Sequence, residues 1–508
     1  MYDTIIIGGD LSSSVAALAA SRSGQKTVLV REAGPDGEYG EGGYTFPVNS
    51  TPCFAMGPGQ KALEILKSIH PSPDESPASD PMDPAFQVLL PGHRVDIFSR
   101  PEKLISEMVR EFPHIEREIE SFYQTVKKSS RLVERWIQED VQEKVAPAKR
   151  TVRELCRLPD ILGNCLSSLF GERETDGGGP SFRDVIDAQL ALLSYMDLRD
   201  RPYPVSAGYL LSLPWQGVYF TPGGRTAWTD WLHKGIVRNG GEVLYGSSVI
   251  RLDTKPAMIV DLEGAEGPMT IRGTHLIVSA QWEKLHLLSG DKTRPRNLFR
   301  RFGSVLPTAF PFSLHMGVRE SVLPERMSPL AVLVPERKDN GSDPVMKWIV
   351  LEASRPGELK WAPRGKRSVS ASVFLTESPL KLTDEELKKI SAGIIDSLDP
   401  FFPFLREGIE YINIEKSISC SRRSQEAANH KYGVRGGAFS GTTTLSPRTS
   451  IPRVFLTGAM LKAGLGLEGE ILSGLEAARL AGRKGMPEIR TAPEDRPGDP
   501  PPQTEAET

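Results

Sequence analysis

The chain has 508 residues, of which 39% are hydrophobic and 25% charged, and its 62 basic residues nearly balance its 65 acidic ones. A chain so balanced lacks the basic face that nucleic acids require, and no apolar run approaches the roughly 20 residues of a membrane-spanning helix. The composition therefore argues against a nucleic-acid-binding protein, a transmembrane protein and a disordered chain.

The four cysteines are too dispersed to suggest a metal site. None belongs to a C-x-x-C pair or lies close to a histidine at ligand spacing, so neither zinc nor an iron–sulfur cluster is predicted. We expect free thiols in a reducing compartment. The first apolar run, Thr4 to Ile7, stops at Gly8 and Gly9, which is not the pattern of a secretory leader. The sequence therefore predicts a cytoplasmic protein.

Residues 1–32 have the pattern of one β-α-β unit. A β-branched strand at 3–7 is followed by a short loop, a helix from Ser13 to Ser23, and a second strand from Lys26 to Arg31. Such strands are typical of the buried centre of a parallel sheet, and the unit has the length of a β-α-β crossover. The fold class is therefore predicted to be α/β.

Further along the chain, helical and strand patterns alternate. They predict long amphipathic helices from Pro101 to about 170, a helix over 182–196, a second α/β passage over 217–279, a mostly antiparallel sheet over 307–375, a helix over 382–398 with a capping box at Thr383 and Glu386, and a last strand over 453–457 followed by a helix to about 482.

The order of these elements predicts a discontinuous two-domain architecture. The first and last strands each run into a glycine turn and a helix, as strands of one parallel sheet do. We expect residues 1–70, 215–300 and 430–485 to form one Rossmann-like domain, and 85–214 and 301–429 to form an inserted domain. Residues 486–508 are rich in proline and acid, which predicts a disordered tail.

The first glycine turn aligns with the dinucleotide fingerprint G-x-G-x-x-G but keeps only its first glycine, Gly8. Asp10 and Ser13 stand at the other two glycine positions, and Glu32 follows at the distance of a ribose-binding carboxylate. Asp10 can cap the helix itself and repel a pyrophosphate, whereas the hydroxyls of Ser12 and Ser13 can hold phosphate oxygens. These residues leave a nucleotide site and a plain β-α-β turn equally open.

The second glycine turn, Gly464 to Gly469, is formally another G-x-G-x-x-G at the start of a helix. A loop separates it from the preceding strand, and no acidic residue ends a following strand. A helix N-terminus directed at an electron-rich ring oxygen is therefore a better interpretation than a second dinucleotide site.

Several blocks of the chain resemble the phytoene desaturase and carotenoid isomerase branch of the flavin amine-oxidase superfamily, which includes retinol saturases. The resemblance covers most of residues 1–485; its blocks are the N-terminal unit ending at Glu32, Gly42-Gly43, and the segments at 110–126, 217–253, 275–280 and 454–478. It implies a glutathione-reductase-type FAD-binding domain with an inserted α+β substrate domain, and hydride transfer between the flavin and a polyene.

The resemblance also implies which residues contact FAD. The first turn would face the pyrophosphate, Glu32 the adenosine ribose, Val249 the adenine, and the turn starting at Gly464 the isoalloxazine ring. The full set of expected cofactor-binding residues is Gly8, Gly9, Asp10, Leu11, Ser12, Ser13, Glu32, Gly43, Val249, Gly458, Ala459, Gly464, Leu465 and Gly466. No catalytic side chain is assigned, because the flavin would carry the hydride.

Four positions depart from the family pattern. Asp10 and Ser13 replace glycines, Ala459 replaces an acid that meets the ribityl-phosphate portion of the flavin, and Tyr44 replaces an arginine. The Rab GDP-dissociation inhibitor and escort group resembles these flavoproteins, carries no flavin and holds prenyl lipids. Two hypotheses follow. One is an FAD-dependent oxidoreductase (desaturase, saturase or isomerase) acting on a long apolar, isoprenoid-like substrate, with no identified electron acceptor. The other is a flavin-free lipid- or protein-binding pseudoenzyme.

Two apolar features are less specific. The aromatic residues between 203 and 231 are better explained by core packing than by a substrate pocket. The pairs Phe401-Phe402 and Phe404-Leu405 suggest an exposed patch for peripheral contact with a membrane surface, as an alternative to burial.

Overall fold

The computed structural model describes residues 1–31, 37–48, 56–58, 60–142, 181–199, 206–221, 224–254, 258–264, 267–279, 305–336, 346–425, 430–434 and 445–482. Glu32 and the predicted tail at 486–508 lie outside these ranges. None of the described helices is both long enough and apolar enough to cross a membrane.

The described residues form eleven α-helices and nineteen strands. The helices are α1 (Leu11–Arg22), α2 (Lys61–Ile69), α3 (Pro101–Glu111), α4 (Glu116–Gln142), α5 (Phe182–Leu193), α6 (Ala207–Ser212), α7 (Gly224–Arg238), α8 (Asp384–Leu398), α9 (Leu405–Gly408), α10 (Ile414–Ser424) and α11 (Gly466–Ala481). The strands are β1 (Tyr2–Ile7), β2 (Thr27–Arg31), β3 (Glu38–Glu41), β4 (Tyr44–Pro47), β5 (Asp80–Met82), β6 (Phe86–Leu90), β7 (His93–Ile97), β8 (Val218–Phe220), β9 (Glu242–Tyr245), β10 (Ser248–Asp253), β11 (Met258–Gly264), β12 (Gly267–Ser279), β13 (Val305–Arg319), β14 (Leu330–Leu333), β15 (Ile349–Ala353), β16 (Lys366–Leu375), β17 (Ile409–Ile412), β18 (Lys431–Val434) and β19 (Val454–Thr457).

The first sheet has a parallel centre with the strand order β19–β12–β1–β2–β9. Its apolar central strands are buried on both faces, as a parallel sheet between helical layers requires. The first half of β12 leaves this centre and forms an antiparallel meander with β11 and β10. Residues far apart in sequence therefore meet in one Rossmann-like sheet.

The second sheet has the strand order β17–β13–β16–β15–β14–β6–β7, with β18 added beside the start of β13. All its pairs are antiparallel except β14 with β6. Its strands alternate between a face that packs on α8 and α10 and a face that packs toward α5. The antiparallel sheet predicted over 307–375 is confirmed.

Helices α1 and α11 pack against each other on one face of the first sheet. At Gly474 of α11, an added Cβ would lie 2.3 Å from the Ser12 carbonyl oxygen and 3.2 Å from the Ala16 amide nitrogen. Only a residue without a side chain permits this approach. The contact places the middle of α11 directly beside the first turns of α1.

Several predicted elements differ from the observed ones in extent. The helix predicted over 182–196 ends at Leu193, and Ser194 is already extended. The strand expected at 276–279 is the last part of a thirteen-residue strand, and the β6–β7 hairpin was not predicted. The capping box of Thr383 and Glu386 is confirmed at the start of α8.

The predicted apolar patch is smaller than expected. Phe402 and Leu405 are buried in the core beside the second sheet, while Phe404 is 70% exposed. Most of the apolar surface of the two pairs therefore belongs to the core.

The contact at Gly474 can be tested by substitution. We expect Gly474→Ala to lower the free energy of unfolding by about 1–3 kcal/mol, because the methyl group overlaps the backbone of α1. Gly393→Ala on α8 is the matched control: its Cβ would meet only the flexible end of Met346 at 3.3 Å. Helix propensity should make that variant neutral or up to about 1 kcal/mol more stable. Urea unfolding measures both, and equal effects would contradict the proposed contact.

Candidate functional site

The residues of the first glycine turn form hydrogen bonds with one another at the start of α1. Asp10 is the N-cap, and its carboxylate accepts hydrogen bonds from the Ser13 amide and the Ser12 hydroxyl, each at 2.9 Å. The Ser13 hydroxyl in turn donates to the Asp10 carbonyl at 2.8 Å. The residues at the two lost glycine positions therefore form a self-contained helix cap.

A buried carboxylate from α11 reaches the same helix end. Glu470 Oε1 accepts a hydrogen bond from the Leu11 amide at 3.1 Å, and its side chain is wholly buried. Arg225 Nη2 lies 2.7 Å from the same oxygen, and the Tyr195 hydroxyl lies 3.5 Å from Glu470 Oε2 and 3.3 Å from Arg225 Nη1. Burial raises the pKa of Glu470; Arg225 opposes this shift and Asp10 adds to it. We call Glu470, Arg225 and Tyr195 the Glu470 cluster.

The second glycine turn is covered by the chain itself. All residues from 454 to 475 are buried. Gly466 has a φ of +58°, and an added Cβ would lie 2.3 Å from the Leu193 carbonyl oxygen. The Ser206 hydroxyl donates a hydrogen bond to the Gly464 carbonyl. The surface that was predicted to face a flavin ring therefore faces protein backbone.

The covering segment, residues 193–197, is held by backbone hydrogen bonds at Tyr195 and by Lys431. The Tyr195 amide donates to the Ala463 carbonyl at 3.1 Å, and the Tyr432 amide donates to the Tyr195 carbonyl at 2.8 Å. Lys431 Nζ donates to the carbonyls of Ala191, at 2.6 Å, and Ser194. Ala191 lies in the last turn of α5 and Ser194 is the residue that follows it, so the lysine caps that helix and holds the segment in place.

An open cavity lies between the two sheets, beside the first turn. Its lining is mixed: charged groups lie near α1, apolar side chains come from β5, β8 and β14, and β15 and β16 add the polar residues Glu352, Ser368 and Ser370. The lining residues include Gly9, Asp10, Leu11, Arg31, Glu38, Met82, Val218, Tyr219, Phe220, Arg225, Thr226, Leu330, Glu352, Ala353, Trp361 and Ser370. Two of the aromatic residues predicted as core, Tyr219 and Phe220, therefore line the cavity, whereas Tyr209, Trp228 and Trp231 are core residues.

The structure brings only part of the predicted FAD site to this cavity. Gly9, Asp10 and Leu11 line it, and Gly8, Ser12 and Ser13 belong to the same turn. Gly43 lies in the exposed turn between β3 and β4, and Val249 is buried on β10. Neither these two residues nor the second-turn residues Gly458, Ala459, Gly464, Leu465 and Gly466 line the cavity.

No protein-family model and no curated protein match the chain. Solved structures do. An oxidoreductase from Methanosarcina mazei is 14% identical with a TM-score of 0.56, covering 93% of this chain and 99% of the other. Wild-type putrescine oxidase bound to putrescine is 13% identical with a TM-score of 0.56. Cyclohexylamine oxidase from Brevibacterium oxydans is 14% identical with a TM-score of 0.54. Each of these two alignments covers 94% of this chain and 98% of the chain of the other protein.

The chain has the fold of an FAD-dependent oxidoreductase. That fold comprises a Rossmann-like FAD-binding domain and a substrate domain, which confirms the predicted fold class. At these identities the likeness concerns the fold alone.

The residues present fit FAD poorly at both glycine turns. At the first turn, the amides of Leu11 and Ser13 already donate to the carboxylates of Glu470 and Asp10. At the second turn, Leu193 and Ser206 lie against the glycines. A dinucleotide at these places would have to displace groups of the protein that are themselves hydrogen-bonded.

Sequence reasoning missed the Glu470 cluster. The signal available was two acidic residues, Glu468 and Glu470, inside an otherwise apolar or small-residue stretch that was predicted to form a glycine turn and a helix. Buried acids need partners, so such residues point to a polar interaction within the core. The identity of the partners, however, depends on residues about 245 and 459 positions away.

The capping role of Lys431 predicts a pH dependence of stability. Burial lowers the pKa of Lys431 from 10.5 to about 7. The unfolded chain then binds more protons than the folded chain between pH 7 and 10.5, so this group makes stability rise with pH over that window. We expect the difference in unfolding free energy between the natural protein and Lys431→Met to increase by about 2 kcal/mol from pH 7 to pH 9.

Urea unfolding at the two pH values measures this difference. Lys234→Met, at an exposed lysine on α7, is the control and should give the same difference at both pH values. A difference for Lys431→Met that stays constant or falls would show that the Lys431 amine is charged in the folded protein.

Proposed function

We propose that this chain is a member of the flavin amine-oxidase superfamily that works without FAD and binds a long apolar, isoprenoid-like ligand in the cavity between its sheets. The observation that carries the proposal is that groups of the protein occupy both glycine turns: carboxylates accept from the amides of the first turn, and the Leu193 carbonyl lies against Gly466 in the second. The cavity between the sheets stays open beside them.

The lining of the cavity indicates the chemistry of its ligand. Met82, Phe220, Leu330 and Trp361 offer apolar surface that suits an apolar chain or polyene, while Glu352, Ser368 and Ser370 of the second sheet add polar groups to the wall of the cavity. At the α1 end it offers charged side chains, with Arg225 among them. A ligand with an apolar body and one polar end would match both regions.

A second candidate is an FAD-dependent oxidoreductase, a desaturase, saturase or isomerase acting on the same class of substrate. Two observations favour it: the fold is shared with oxidoreductases, and the cavity reaches the turn at Gly9 to Leu11. In such an enzyme FAD would supply the hydride chemistry, and this chain would contribute a cavity that orients the substrate and excludes water.

The first experiment separates the two candidates. We expect the visible absorption spectrum of the purified protein to show no flavin bands and added FAD to give no saturable binding. Flavin bands, or saturable FAD binding by the natural protein, would contradict the proposal and establish the second candidate's cofactor.

The second experiment tests the cavity. All-trans-retinol, a fluorescent isoprenoid alcohol, serves as the probe. We expect Thr226→Phe to weaken retinol binding by at least about 10-fold. The added ring would take space that the ligand occupies, and the loss of about 1.4 kcal/mol of binding free energy corresponds to a 10-fold weaker affinity. Lys234→Phe, at an exposed position of the same helix, is the control and should leave binding unchanged. Equal binding by both variants, or no saturable binding by the natural protein, would contradict the cavity as the ligand site.

A further inference from the structure

The start of α1 is the place where a Rossmann-like fold presents backbone amides to the diphosphate of a dinucleotide. In this chain two carboxylates already hold those amides. Glu470 accepts from the Leu11 amide at 3.1 Å, and Asp10 accepts from the Ser13 amide at 2.9 Å. The positive end of the helix dipole therefore faces negative charge supplied by the protein.

The charge at this helix end is balanced within the protein. Glu470 is wholly buried, and a carboxylate without a partner in such a place would be costly. Arg225 supplies the counter-charge at 2.7 Å, with only 13% of its side chain exposed, and it also lines the cavity. The diphosphate of FAD carries two negative charges, and Asp10 with Glu470 offers the same number.

We propose that Asp10 and Glu470 are an internal substitute for a diphosphate, with Arg225 as their counter-ion, and that this substitution excludes dinucleotides from the fold. The proposal deepens the proposed function, because it names the residues that make the protein flavin-free. The exclusion has two causes: the carboxylates occupy the amide donors, and they repel a second anion. Both causes disappear when the carboxylates are removed, while the amides and Arg225 remain.

The test uses the full-length protein and Asp10→Gly/Glu470→Ala, with inorganic pyrophosphate and FAD as the probes. We expect the natural protein to bind neither probe saturably at millimolar concentration, and the double variant to bind pyrophosphate at least about 10-fold more tightly. The gain follows because each hydrogen bond from an amide to a charged group contributes about 1.5–3 kcal/mol. Adding Arg225→Ala to the double variant should remove the gain.

Glu476→Ala is the matched control. Glu476 lies on the same helix and pairs with Lys462 at 3.3 Å, so the substitution removes one acidic charge and leaves the start of α1 unchanged. We expect no gain in pyrophosphate binding. Glu470→Gln alone keeps the size of the side chain, and a smaller gain from it would support the proposal even if the double variant unfolds. Circular dichroism and thermal unfolding establish which variants are folded.

The outcomes separate this proposal from the proposed function. Pyrophosphate binding gained without FAD binding supports the internal substitute and leaves the second turn as the remaining obstacle. Binding of both probes by the double variant supports it as well. Folded variants that bind pyrophosphate no better than the natural protein would overturn the internal substitute while leaving retinol binding in the cavity untouched. Saturable FAD binding by the natural protein would overturn both.

Discussion

The structure depends on the groups that balance the charge of one wholly buried carboxylate, Glu470. A charge in that position needs a counter-ion and a hydrogen-bond donor, and Arg225 of α7 and the Leu11 amide of α1 provide them. Because Glu470 itself lies on α11, the pairing joins three helices that approach the first sheet from distant parts of the sequence. The same pairing places the segment of α11 from Glu470 to Gly474 against the start of α1, where Gly474 permits contact between the helix backbones.

The covering of the second turn is a consequence of the same cluster. Tyr195 contacts Glu470 and Arg225 with its hydroxyl, and its backbone pairs with Ala463 and Tyr432. The segment that carries Tyr195 therefore cannot leave the turn at Gly464 to Gly466 without also leaving the Glu470 cluster. Moving Tyr195 and its neighbours away from the second turn would therefore disturb Glu470 at the first turn. The protein groups that occupy the two turns belong to one network of contacts.

Local patterns predicted the local parts of this structure. The first strand, its glycine turn, the following helix and the next strand lie within two residues of the expected bounds, and the capping box at Thr383 and Glu386 is present as expected. Each of these features depends on neighbours within a few positions. The capping role considered for Asp10 is observed, because its carboxylate accepts a hydrogen bond from the Ser13 amide.

The sequence did not predict the contacts between distant residues that cover the second turn and cap α5. The stretch after Gly464 predicted a helix start near a ring, and its composition alone does not say that Leu193 and Ser206 cover it. The end of α5 at Leu193 has the same origin, because Lys431 caps the last carbonyls from 240 positions away. Both features arise from tertiary contacts, whose partners neither periodicity nor a motif identifies.

The arrangement separates two properties that the fold normally combines. A Rossmann-like turn binds a cofactor through its amides, and the space between the two sheets binds the molecule on which the cofactor acts. Here the amides are occupied by Asp10 and Glu470, while the space between the sheets remains open at Phe220, Leu330 and Trp361. Because Arg225 belongs both to the cluster and to the cavity wall, a polar group of a ligand at the α1 end would meet the counter-ion of Glu470. An anionic or polar group of a ligand bound there would therefore be stabilised by the same arginine that balances the charge of Glu470.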